Sequence, residues 1–193
     1  DQIEQLPFDE TNVEFIQGGI LDANTYQRAR IDSARLVIVL ATSYSDPNSD
    51  AIVASAVSVV EDCNPSVHTV AECLDYRHRR LFASVNCDSI VFSLKLSGNL
   101  LAQEAHDHGV SQLVDVITSN IRGTTLYSTE VGDANQATSY IELAKQLLDR
   151  DINLLCVNRG EESLTSFVSL TPQVGDRAIY AASKRMTWSE LVG

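Results

Sequence analysis

Basic residues are scarce in this 193-residue chain: 14 Lys and Arg stand against 26 Asp and Glu, a formal net charge of -12 at pH 7. A surface that neutralises a phosphate backbone needs the opposite balance, so nucleic acid is not an expected partner. No apolar run approaches the roughly 20 residues that cross a bilayer, and residues 1–20 lack the basic-then-apolar order of a secretory signal. The chain is therefore expected in the cytosol. Cysteines number only four, Cys63, Cys73, Cys87 and Cys156, with no Cys-x-x-Cys spacing; they are expected to be buried thiols and not a zinc site or a disulfide framework. The chain also lacks a Gly-x-Ser-x-Gly elbow and a Gly-x-Gly-x-x-Gly phosphate loop. Gly18-Gly19 reads as a strand-ending turn, because the next glycine is too distant for a dinucleotide loop. No nucleophile with a base is in view, and catalysis is not expected.

What is present is a real core: 44% of the residues are hydrophobic, enough for one domain or two small ones. Charge is uneven, with 7 basic and 17 acidic groups in residues 1–120 against 7 and 9 in 121–193, which suggests a division near Ser119–Gly123.

Asn12 to Ile16 predicts a short strand, and Asp22 caps a helix running to Ile31. Ala34 to Ala41 is nearly continuous aliphatic sequence, the pattern of a strand covered on both faces and central in a parallel sheet. Asp46, Asn48 and Asp50 are available to cap a buried helix over Ala51–Val60. Val67–Leu74 and Ser89–Ser93 read as strands with a helix over Tyr76–Val85 between them, and this alternation argues for a doubly wound sheet. Leu94–Ala105 and Val110–Ser119 read as two amphipathic helices joined by His106-Asp-His-Gly109. Beyond Gly123, strands at Thr124–Val131, Asn153–Val157 and Ala178–Ala181 surround one helix over Ser139–Arg150, a small α+β unit, with a turn at Pro172–Asp176.

Candidate chemistry concentrates at the end of the second aliphatic strand. Glu72 lies where ligands collect in parallel sheets, with Asp75 just beyond, and carboxylates there suit a hard cation or a hydroxylated or cationic ligand. A rim carboxylate beside a helix cap is the plain alternative. His106, Asp107 and His108 fit a polar turn better than a metal site, and Arg77, Arg79 and Arg80 fit a solvated helix face better than a phosphate grip. Glu130, Asp133, Glu161 and Glu162 read as solvated surface as readily as a cation site.

Taken together, Asn12–Gly18, Ala29–Ala41, Val70–Asp75 and Ser97–Ala102 resemble the RCK domain, the regulator of potassium conductance, also called a TrkA-type domain. Leu126–Val131, Asn153–Gly160 and Val174–Ile179 match the pattern of that family's C-terminal lobe. The resemblance implies an α/β fold with three parts: a Rossmann-like lobe over 1–93, a helical crossover and dimerisation hairpin over 94–122, and a C-terminal lobe over 123–193. It also implies that a glycine-loop strand precedes Asp1, so that the chain is a fragment.

The function implied is ligand sensing in a gating ring on the cytoplasmic side of a potassium channel, with homodimers assembled into the ring. Leu100, Leu101, Leu113, Val116 and Ile117 would form the dimer contact. A nucleotide (NAD, ADP or ATP) would bind near Asp1, Gly18, Ala41, Thr42 and Glu72; a divalent cation would use Glu72. Leu40 and Leu74 stand where calcium-gated relatives carry acids, so that particular calcium site is broken. The alternatives are a regulatory subunit of a Trk- or Ktr-type potassium uptake transporter and, in a different class, an NAD-dependent enzyme.

Overall fold

The computed structural model describes residues 13–119, 123–137 and 139–193. Contacts gather the chain into two compact units, Asp1–Ala102 and Gln103–Gly193.

The first unit opens with α1 (Ala23–Arg28), whose N-terminus is capped by the Asp22 carboxylate accepting the Asn24 N–H at 3.0 Å. Arg30 adopts a left-handed conformation (φ 59°) that ends the helix, and a 3-10 turn leads to β1 (Leu36–Val39). Then follow α2 (Ser49–Cys63), β2 (His68–Glu72), a 3-10 turn at Tyr76–His78, α3 (Arg79–Ala83), β3 (Ser89–Val91) and α4 (Ser93–His106). The three strands form a parallel sheet in the order β1-β2-β3, with Val39 beside Ala71 and Glu72 beside Val91. Val53, Ala56, Val57 and Val60 recur on one face of α2 and are completely buried, as the helical period requires. Val53, Ala54 and Val57 pack on Ala71, Cys73 and Phe82, while Val60 meets Ile31 and Val67.

Two expectations fail in this unit. Residues 13–18 form no strand. Arg28 of α1 donates to the Gln17 carbonyl at 2.8 Å, and an extended segment becomes a strand only where a partner ladder exists. The aliphatic segment Ala34–Ala41 is an edge strand among the described residues, not a central one, and Leu36, Ile38 and Leu40 are more than half exposed. Val37 and Val39 face the helices; their odd-numbered side of the strand is covered and the other is bare. Aliphatic content reports β propensity but not what lies beside the strand.

The second unit contains the end of α4, then α5 (Val110–Thr118), β4 (Thr125–Glu130), α6 (Tyr140–Leu148), β5 (Asn153–Arg159), β6 (Glu162–Leu164), β7 (Arg177–Ala182) and α7 (Trp188–Val192). Its antiparallel sheet has the order β4-β7-β5-β6, with Tyr127 opposite Tyr180 and a bulge in β5 at Leu154–Cys156. Leu143 and Leu147 of α6 and Trp188 and Leu191 of α7 cover one face with Tyr140, Val157 and Tyr180. The turn expected at 172–176 supplies more than a change of direction. Its Asp176, 1% exposed, receives Arg159 through two hydrogen bonds of 2.8 Å, the Tyr140 hydroxyl at 2.8 Å and the Gln173 N–H at 3.0 Å. Burial alone would raise the Asp176 pKa, but Arg159 and Tyr140 outweigh it and hold the carboxyl below the ordinary carboxylate range. Among the described residues no helix is long and apolar enough to cross a membrane.

Candidate functional site

Parallel pairing places the C-terminal ends of β1 and β2 side by side, so the loops leaving them share one edge of the sheet. Glu72, the last residue of β2, turns its carboxylate toward the loop after β1. Its Oε2 accepts the Ala41 N–H at 2.9 Å and its Oε1 accepts the Tyr44 hydroxyl at 2.5 Å. Ser93 Oγ at the start of α4 is buried and completes no hydrogen bond, yet it lies close enough, together with the Tyr44 phenol, to hold the Glu72 pKa below its usual value. The same contact with Glu72 pushes the Tyr44 phenol upward. Thr42 belongs to this edge too: its N–H donates to Ser49 Oγ at 3.1 Å, and the two hydroxyls lie 3.2 Å apart.

A second carboxylate organises the neighbouring loop. Asp50 is buried at the first turn of α2 and accepts the backbone N–H groups of Leu74 at 2.8 Å and Asp75 at 3.0 Å, while His78 Nδ1 lies 2.8 Å from its Oδ2. Burial opposes ionisation of Asp50, but these donors prevail and its pKa is lowered. Beyond it, Asp75 caps the following turn through the Arg77 N–H and grips the Arg77 guanidinium, which brings the carboxyl down to about 2. Burial, with Asp50 close by, pushes the Cys73 thiol up to about 12.

Two cavities open on this edge. One, about 550 Å³, is lined by the loop Tyr44–Pro47, the start of α2 and Leu74–His78. The other, about 370 Å³, is an apolar groove of Ile38, Leu40, Val70 and Val91 that ends at Ala41, Tyr44 and Glu72. The pair offers a fixed carboxylate, the Tyr44 phenol and an apolar wall, a combination with more to give a ring-bearing ligand with hydroxyl groups than a bare ion. Among the described residues no three His, Cys, Asp or Glu side chains converge to hold a metal.

Of the residues singled out in the sequence, Ala41, Thr42 and Glu72 come together here. Gly18 is elsewhere in its contacts: a Cβ at that position would collide with the Thr25 side chain, so its glycine serves the turn into α1. Asp1 lies outside the described residues. Leu100, Leu101, Leu113, Val116 and Ile117 lie on α4 and α5, none of them buried, with Leu101 and Leu113 73% and 59% exposed. His106 and His108 belong to the interhelical turn, where His108 Nδ1 is 3.0 Å from the Glu104 carbonyl and Glu104 caps α5 through the Gly109 and Ser111 N–H groups. Sequence reasoning missed Tyr44, Ser93 and the anchoring role of Asp50. The available signal was position, since Tyr44 lies in the loop at the carboxyl end of a parallel strand.

No family profile matches the chain, and no curated protein matches it. Solved structures do. The chain is similar to the human SLO3 gating ring, with a TM-score of 0.66 and 14% identity over 88% of this chain and 36% of that one. It also aligns with the GsuK RCK domain (TM-score 0.44, 12% identity, 94% of this chain and 37% of that one). The GsuK channel bound to NAD aligns as well (TM-score 0.45, 13% identity, 94% and 31%). The chain spans about a third of the length of these solved chains. Its fold, a parallel three-stranded sheet with flanking helices followed by an antiparallel sheet, is similar to that of the human SLO3 gating ring.

Proposed function

We propose that the chain is a ligand-sensing regulatory domain of a potassium channel, acting on the cytoplasmic side of the membrane as part of a ring of paired copies. Ligand binding at the Ala41–Thr42–Glu72 edge favours one arrangement of the ring and so biases the pore. The likeness of 88% of the chain to a gating ring carries this reading. The ligand is a nucleotide: the apolar groove takes the ring, and Glu72 takes a hydroxyl group. The domain works by binding and not by bond making: Glu72 and Asp50 are each engaged by hydrogen bonds from the protein's own groups. Pairing of copies uses the exposed apolar residues of α4 and α5.

The test is thermal unfolding of the chain with ADP, ATP, NAD, NADH, calcium or magnesium at millimolar concentration. A ligand that binds the folded state raises the Tm by mass action. A rise with nucleotides that disappears in Glu72→Gln supports the reading. A rise with divalent cations alone replaces the nucleotide by a cation, and no rise with any of them removes the sensor function and leaves a structural scaffold.

A further inference from the structure

Tyr44 is the one residue, among those described, that lines both cavities at the candidate edge. The residue is 64% exposed, and the hydrogen bond from its hydroxyl to Glu72 holds the side chain in place. The loop that carries it is short and anchored at its far end, where Ser49 Oγ accepts the Thr42 and Ser43 N–H groups. Pivoting of the Tyr44 side chain therefore requires loss of one side-chain bond and no rearrangement of the sheet. Glu72 keeps the Ala41 N–H at its other oxygen, so the carboxylate stays oriented when the phenol leaves.

We infer that Tyr44 is a built-in occupant of the ligand site: its phenol holds the position on Glu72 that a ligand's hydroxyl or ring N–H takes, and displacing it joins the two cavities into one cleft. The inference rests on the nucleotide reading above and adds its regulation. An aromatic ring bearing one donor is what the site already accepts, so the entering ligand is a ring-bearing molecule whose donor replaces the phenol. The closed form competes with the ligand, and apparent affinity is reduced by the fraction of molecules in which Tyr44 has left.

The experiment is calorimetric titration of ADP, and separately of NAD, into the native chain, Tyr44→Phe and Tyr44→Ala, with the Tm of each variant measured alongside. Tyr44→Ala is expected to bind about tenfold more tightly than the native chain, with Tyr44→Phe between them, as follows when a competing closed state is removed. Glu72→Gln in the Tyr44→Ala background is expected to abolish the gain. Unchanged or weaker binding by Tyr44→Ala, or by Tyr44→Phe if the alanine variant has lost its fold, overturns the built-in occupant while the nucleotide reading stands. Absence of binding to every form, native included, overturns both.

Discussion

The Asp50 carboxylate, on the first turn of α2, accepts the Leu74 backbone N–H at 2.8 Å, so one helix residue fixes the loop that leaves β2. The same carboxylate takes the Asp75 N–H, and both donors are groups that no ladder or helix would otherwise satisfy. Replacing Asp50 by Ala is expected to destabilise the chain by roughly 1–3 kcal/mol, the usual cost of orphaning buried donors. Chemical denaturation measures it, and an unchanged midpoint would show that water substitutes for the carboxylate.

Acid sensitivity should originate in part from Asp176. Its folded pKa is below the unfolded value of about 3.9, so its contribution is complete well above that value and is lost as pH falls through the depressed folded pKa. The Tm of the native chain is expected to drop on acidification below about pH 4. Asp176→Asn should have a lower Tm at neutral pH and a shallower acid limb; parallel curves would assign the acid sensitivity to other carboxylates.

Leu101 and Leu113 are expected to drive self-association. Both are highly exposed, so Leu101→Lys and Leu113→Lys leave the folded core intact. Light scattering after size exclusion should show a lower molar mass for the double variant with the Tm changed little. An unaltered mass distribution would place the contact between copies elsewhere.

Cys73 should resist thiol reagents. Its side chain is fully buried and its pKa is pushed to about 12, so at pH 8 almost none is thiolate. Labelling followed by mass spectrometry is expected to modify Cys73 only once denaturant is added. Rapid native labelling would mean that the loop held by Asp50 opens frequently.

The C-terminal helix offers a smaller test. Thr187 and Glu190 form a reciprocal capping box at α7, with Thr187 Oγ1 2.8 Å from Glu190 Oε2. Thr187→Ala is expected to cost about 1 kcal/mol, the typical worth of an N-cap, read as a shift of the denaturation midpoint.

Much of the fold was legible because its signals are local. The apolar run Ala51–Val60 behind a polar loop marked α2, Asp22 marked the start of α1, and the aliphatic strands alternating with helices marked a parallel sheet. The missed α7 carried the Thr187–Glu190 signature all along, in a segment too short for periodicity to register. Glu72 was legible as a strand-end carboxylate, but its partners were not. Tyr44 is 28 residues away in sequence, and nothing in local spacing reports a hydrogen bond across two parallel strands.

The sequence by itself determined the acidic balance, the buried helix α2, the two kinds of sheet texture and the polar turn at the α4–α5 junction, since each depends on residue type and near-neighbour spacing. Tertiary structure alone decided that β1 is an edge strand in the described sheet, that the Asp50 carboxylate serves the loop after β2 instead of capping its own helix, and that Asp176 joins Arg159 and Tyr140 in a buried network. Those outcomes depend on which segments meet across 17 to 36 residues of chain, and hydrogen bonds of this kind are chosen by proximity after the elements pack, when a buried carboxylate takes whichever donors surround it.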